Sequence, residues 1–143
     1  MILDDSLDLS IPGATPPWQD LSGNAAQPTN YLDIGAVART PAMTLIVMVS
    51  SIAGTTPDLT VGVYADTGPD FATERELESR YVATANLVTG MYLVAVPPQL
   101  GEFRYYRAKF AMGGTAPTAK VKAWLVPASL VSVDKPLAGA FIL

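Results

Sequence analysis

The sequence predicts an all-β protein, an antiparallel β-sandwich with an extended N-terminal arm and a C-terminal tail. Three observations carry that expectation. From Asn30 onward, short apolar or alternating runs are separated by turn residues, the pattern of a sandwich or barrel. The 143 residues include 12 Pro and 11 Gly, which punctuate the chain too often for a helical bundle. Half the residues are hydrophobic and only 15% are charged, so the chain has ample apolar surface to offset the entropy of ordering.

Residues 1–30 read as an arm. Pro12, Gly13, Pro16, Pro17, Gly23 and Pro28 argue against regular structure there, while Ile2, Leu3, Leu7, Leu9, Ile11 and Trp18 are apolar anchors. The sandwich is expected over 31–127, beginning with a strand at Tyr31–Val37. Met43–Ser50 is nearly continuous in Val, Ile, Leu and Met, as suits a strand covered on both faces. Ala53-Gly54-Thr55 reads as a turn. Leu59–Ala65 follows, with Leu59, Val61 and Val63 on one face and Thr60, Gly62 and Tyr64 on the other. Gly68-Pro69-Asp70 makes a loop leading to a strand at Glu76–Ala85. Met91–Val96 comes after Thr89-Gly90 and stops at Pro97-Pro98.

Phe103–Met112 alternates, placing Tyr105, Arg107 and Lys109 on one face. Gly113-Gly114 then predicts a hairpin. Thr118–Val126 is the last long strand, with Lys120, Lys122 and Trp124 opposite Val121, Ala123 and Leu125. About seven or eight strands result, with no repeat of fixed period. Residues 128–143 form the tail, whose Phe141, Ile142 and Leu143 are poor solvent-facing material and need a partner.

Composition removes many functions. Cys and His are absent, so no disulfide, thiol nucleophile, zinc finger or Ser–His–Asp triad arises from this chain alone. Ser50-Ser51 lacks a nucleophile elbow. Asp66 and Asp70 bracket a Gly-Pro loop and are weak candidates for a divalent cation, since the Ca²⁺-loop spacing is missing and turn chemistry is the usual role of Asp in such a loop. Glu74, Glu76 and Glu78 are expected on one face of a charged edge strand. No catalytic residue, cofactor or bound metal is therefore predicted, and the chain is not read as an enzyme.

The net charge is −4, distributed as −5 over residues 1–38, −3 over 39–100 and +4 over 101–143. An acidic arm and a basic last third can attract one another within or between subunits. Nucleic-acid binding is disfavoured by the acidic balance. Neither Thr40–Pro57 nor Tyr81–Gly101, the two long uncharged stretches, presents the roughly 20 successive apolar residues of a membrane span. The N-terminus lacks the basic and apolar regions of a secretory signal.

Several ordered patterns resemble one family. They are Tyr31-Leu32-Asp33-Ile34-Gly35, the strand Leu45–Val49, and Leu59-Thr60-Val61-Gly62-Val63 with Asp66 and Pro69-Asp70-Phe71. Leu87 to Gly90, Val96-Pro97-Pro98, Phe103-Arg104-Tyr105-Tyr106-Arg107 and Lys120-Val121-Lys122-Ala123-Trp124-Leu125-Val126 continue them. Over residues 31–126 the chain resembles jelly-roll capsid cement, or head-decoration, proteins of tailed bacteriophages.

The resemblance implies a jelly-roll-like sandwich on the outer surface of a virion. There it ties neighbouring major capsid subunits together once the shell has expanded. It also implies a small homo-oligomer, with a dimer expected before a trimer, made in the host cytoplasm. Partner contacts are expected at Ile2, Leu3, Leu7, Leu9, Ile11, Trp18, Phe141, Ile142 and Leu143. The alternatives are a carbohydrate-binding jelly roll of a phage fibre, stacking sugars on Trp18 or Trp124, and another β-rich virion part such as a connector or tail subunit. A glycosidase would need two carboxylates about 5–10 Å apart across a cleft.

Overall fold

The computed structural model describes residues 18–35, 42–98, 103–127 and 140–142, the last three through their backbone alone. The described residues form strands and turns with no helix. Seven strands follow one another: β1 (Gln19–Ser22), β2 (Gln27–Asp33), β3 (Met43–Asp66), β4 (Arg75–Val82), β5 (Tyr92–Ala95), β6 (Tyr105–Pro127) and β7 (Ala140–Ile142).

Two of these strands organise the rest. β3 has 24 residues and β6 has 23, and they pair antiparallel from Met43↔Pro127 to Asp66↔Tyr105. At ~3.3 Å per residue a straight strand of that length would run about 79 Å, whereas a compact chain of this size is only roughly 37 Å across. The ribbon therefore bends. Its register shifts between Val49 and Ser51, between Ala53 and Thr55, and between Thr55 and Asp58. Opposite the last two shifts lie Gly113, Gly114, Ala116 and Pro117 of β6.

The bend divides each long strand between two layers. In layer one, β1 pairs with β6 at Thr118–Val121, Met43–Ala53 pairs along the other side of Thr118–Pro127, and β5 lies beyond, followed by β7. In layer two, β2 pairs with Tyr105–Phe110 of β6, which pairs with Asp58–Asp66 of β3, and β4 lies beyond. Inward side chains of both layers meet in one core. Leu45, Val47, Val49, Val121, Ala123 and Leu125 of layer one pack with Leu59, Val61, Val63, Tyr106, Ala108 and Phe110 of layer two. The product is an all-β, jelly-roll-like sandwich, antiparallel except for the β5–β7 pair. Layer one is apolar outside as well, where Ile46, Trp124 and Val126 form a second buried cluster with Met48 and Tyr92 against it.

The turn signals at 53–55 and 113–114 thus mark a corner and not chain reversals, which corrects the predicted turn and the predicted Gly113-Gly114 hairpin. The reason is steric. Gly54 and Gly114 have φ of 118° and 97°, and Thr56 and Ala116 are also left-handed at 49° and 47°. A Cβ on Gly114 would lie 2.6 Å from the Thr55 carbonyl oxygen, and one on Gly54 would lie 2.8 Å from Pro117 Cα. The two strands cross the corner too closely for side chains.

A second correction concerns the arm. Gln19–Ser22 and Gln27–Asp33 are ladder strands, although this stretch contains Pro28. Pro28 is tolerated because β2 has a neighbour on only one side among the described strands. The register then shifts between Pro28 and Tyr31, and there the Thr29 hydroxyl accepts the Ala108 N–H at 3.0 Å in place of a backbone carbonyl. Asn24, between β1 and β2, donates its amide to the carbonyls of Met112 and Gly114 and so fastens this excursion to the corner. Other strands end within a few residues of expectation, and Val37 lies outside the described residues.

Replacing Gly114 by Ala adds positive-φ strain to a collision with backbone that cannot give way. It is expected to cost more than ~3 kcal/mol. Gly23 also has positive φ (75°), but nothing lies within 4 Å of its would-be Cβ, so Gly23→Ala is expected to lose only about 1 kcal/mol. Calorimetric unfolding of the two variants compares them, and equal losses would contradict a tightly packed corner.

Candidate functional site

Among the described residues, the outer face of layer two gathers most of the exposed aromatic and paired charged groups. Its construction begins with Asp66, the last residue of β3 and almost fully buried. One carboxylate oxygen accepts the N–H groups of Thr67 (2.6 Å) and Gly68 (3.2 Å) and the Thr73 hydroxyl (2.9 Å), and the other accepts the Thr73 N–H at 2.8 Å. Burial by itself would raise this carboxyl's pKa. The hydrogen bonds from Thr73, Gly68 and Thr67 outweigh it and hold the group below the ordinary value. The loop 67–73 is thus wound around one anion.

That loop delivers Phe71 and Glu74 to the sheet. Phe71 is buried in a left-handed conformation (φ 52°), a strained backbone that the Asp66 cage supports. The Arg107 guanidinium lies 4.2 Å from the Phe71 ring centroid, and Tyr31 packs on the same ring at 5.9 Å. Arg107 donates to Glu74 at 2.7 Å, and Lys109 also pairs with Glu74. Burial would raise the Glu74 pKa, but the bonds from Lys109 and Arg107 bring it below its usual range.

Lys109 also sits 4.6 Å from the Tyr64 ring centroid. The Tyr64 hydroxyl is pushed upward by burial first and by Glu76 and Glu74 next. At the outer margin Tyr31 meets Tyr105 edge-on at 5.5 Å, and Arg104 holds Asp33 through two bonds of 2.7 and 2.9 Å. The hydrogen bonds from Arg104 and the Gly35 N–H lower the Asp33 pKa.

The opposite end of the same face is more open. Thr60 pairs with Tyr81 of β4 and Ala111 of β6, and Gly62 pairs with Ser79 and Lys109. Directly opposed residues share a face, so these side chains project outward with Tyr64 and Arg107. Tyr81 is 62% exposed, yet its hydroxyl is fixed by donation to Asp58 Oδ2 at 2.9 Å. Asp58 Oδ1 in turn accepts the Gly113 N–H at 2.7 Å. The bond to Asp58 raises the Tyr81 pKa.

The structure places the sequence candidates as follows. Tyr105, Arg107 and Lys109 share a face, as alternation requires. Glu74, Glu76 and Glu78 do not. The register shift between Val63 and Tyr64 skips Leu77, leaving Glu76 beside outward Tyr64 and Glu78 beside inward Val63, where it meets Arg80 at 3.5 Å. Asp66 spends both oxygens on its own loop, and Asp70 accepts the Ala72 N–H at 3.3 Å. Among the described residues no group of three or more acidic side chains is placed to hold a metal ion.

Trp124 is buried against Ile46 and Val126, so it offers no ring to a sugar from solvent, and Trp18 is half-buried. The backbone of Phe141 and Ile142 pairs with Leu93 and Val94 of β5. Ile2, Leu3, Leu7, Leu9, Ile11 and Leu143 lie outside the described residues. Sequence reasoning missed Tyr81 and Asp58. The alternation of Ser79 and Tyr81 was a usable signal for the first, but the Asp58–Tyr81 bond depends on a pairing 23 residues apart.

No family model and no curated protein matches this chain. Solved structures give partial likenesses. PirA is 12% identical with a TM-score of 0.44, covering 76% of this chain and 92% of its own. A Cellvibrio japonicus Xylanase10C mutant in complex with xylopentaose is 10% identical with a TM-score of 0.48, covering 76% of this chain and 22% of its own. The VP2 subviral particle of infectious bursal disease virus is 15% identical with a TM-score of 0.46, covering 76% and 29%. At these scores none of them carries an argument about what this chain does.

Stability from the lowered carboxylates has a definite sign. Because Asp66 and Glu74 have folded pKa values below their ordinary 3.8 and 4.5, their contribution is present above those ordinary values. It is lost as pH falls through the depressed ones. Asp66→Asn is expected to lower the unfolding temperature near neutral pH and to flatten its fall below about pH 4. Thermal unfolding followed by circular dichroism across that range checks this, and an unchanged acid limb would refute the Asp66 assignment.

Proposed function

We propose that the protein is a structural virion component of the cement type, binding the outer surface of a phage head and tying neighbouring major capsid subunits together. The observation that supports this reading is the position of β1 and β7, the first and last described strands, in layer one. The strand order is β1, β6, β3, β5, β7, so among the described strands the first and the last lie at opposite edges. Four strand spacings separate them, about 19 Å. A brace between two neighbours needs grips on opposite sides and a stiff body between them. The β3–β6 ribbon, shared by both layers, supplies the stiffness.

In this reading Ile2, Leu3, Leu7, Leu9, Ile11 and Trp18 form one grip, and Phe141, Ile142 and Leu143 the other. Burying their apolar surface contributes roughly 25 cal/mol per Å² before association costs. An oligomer that engages two or three sites together adds effective concentration, so weak contacts hold collectively. A homodimer is proposed first and a homotrimer second. The role requires neither nucleic acid nor membrane, and no catalysis.

Deleting residues 1–17, or separately 128–143, is expected to reduce co-sedimentation with purified expanded shells or self-association at least about tenfold. The β-sheet circular dichroism spectrum should persist. Full binding and unchanged assembly in both folded truncations would refute the proposal.

A further inference from the structure

We propose that the outer face of layer two carries a trough for a neutral oligosaccharide, a site separate from the two chain-end grips. Thr60, Ser79 and Ala111 floor it, with Tyr81 at one end and, at the other, the Tyr64 ring lying over buried Gly62 beside Lys109. The floor is low because its residues are small. Gly62 has no side chain, and a Cβ there would meet the Tyr64 ring at 2.6 Å, so the glycine lets that ring lie flat on the sheet as one end of the trough. Along β3, Tyr64 and the residue facing Tyr81 are four positions apart, and β4 is one strand over. The backbones of Tyr64 and Tyr81 are therefore ~14 Å apart. Because the Tyr64 ring reaches back over Gly62, the open floor between the two rings is roughly 7 Å along β3, the reach of one or two sugar rings.

The chemistry of the walls selects the ligand. Stacking on the apolar face of a sugar ring requires an aromatic ring that is exposed and already oriented. Tyr81 is the most exposed large side chain among the described hydrophobic residues, and Asp58 holds its hydroxyl at 2.9 Å. Binding to a ring fixed in advance loses less conformational freedom. Sugar hydroxyls both donate and accept, and the trough offers both kinds of partner in the hydroxyls of Thr60 and Ser79, the carboxylates of Asp58 and Glu76, and the Lys109 ammonium.

Charge balance argues against a polyanion. Asp58, Glu74 and Glu76 stand against Arg107 and Lys109, and Glu74 already pairs with both cations. The floor and walls contain no large aliphatic side chain, so the trough lacks the greasy anchor pocket expected of a protein partner. The carbohydrate alternative raised from the tryptophans thus moves to a tyrosine on the other layer.

The test uses the purified full-length chain without shells, so its result is independent of the capsid reading. Affinity electrophoresis in gels containing laminarin, soluble mannan or arabinoxylan, with heparin as the polyanion, is run beside a microarray of neutral glycans. Retention by at least one neutral glycan is expected. Tyr81→Ala and Ser79→Arg should each weaken it about tenfold, the scale of one stacked ring. Val88→Ala, an exposed residue outside the trough, should leave it unchanged, and all three variants should remain folded. Should Tyr81→Ala unfold, Ser79→Arg, an exposed position, decides alone. No retention by any neutral glycan, retention by heparin alone, or undiminished retention in a folded Ser79→Arg variant would overturn the proposal.

Discussion

The bent β3–β6 ribbon is the constraint on which the rest of the structure depends. Each of its strands contributes to both layers, so the core is closed by the same chain segments that form its walls. The bend is possible only where side chains are missing or the backbone turns left-handed, at Gly54, Thr56, Gly114 and Ala116. β1, β2, β4 and β5 then pair along whichever half of the ribbon their sequence reaches. Asn24 and Asp58 both bond to the corner, which links its geometry to β1 and β2 on one side and to Tyr81 on the other.

The outer face of layer two is built on a separate local device. A single buried carboxylate, Asp66, organises the loop that carries Phe71 and Glu74. Glu74 then neutralises Arg107 and Lys109, which themselves lie over Phe71 and Tyr64. These pairs are only partly buried, so their contribution to stability is modest. Their effect here is positional, since they hold long side chains flat against the sheet and leave the neighbouring small residues open.

Much of this was legible in the sequence. Alternation identified the inward residues of Leu59–Ala65 and of β6, because those segments have one face in the core, whereas Met43–Ser50 read as apolar on both faces. It also grouped Tyr105, Arg107 and Lys109 correctly. Local pattern failed wherever pairing decided the outcome. Glycine and proline at 53–57 and 113–117 carry the same signal whether the chain reverses or bends, and only the long-range β3–β6 register separates the two cases. Pro28 looked incompatible with a strand, since the Thr29 hydroxyl that completes its ladder cannot be read from β2 alone. Glu74, Glu76 and Glu78 alternate in sequence, but the irregular register at Leu77 sends Glu76 and Glu78 to opposite faces.

Amide hydrogen exchange tests the organising claim most directly. If one ribbon ties both layers together, the amides of Leu59–Val63 in layer two and Val121–Leu125 in layer one should open only in a common unfolding event. They should then share one free energy and one denaturant dependence. Two separable opening events, with one layer exchanging while the other stays protected, would contradict it.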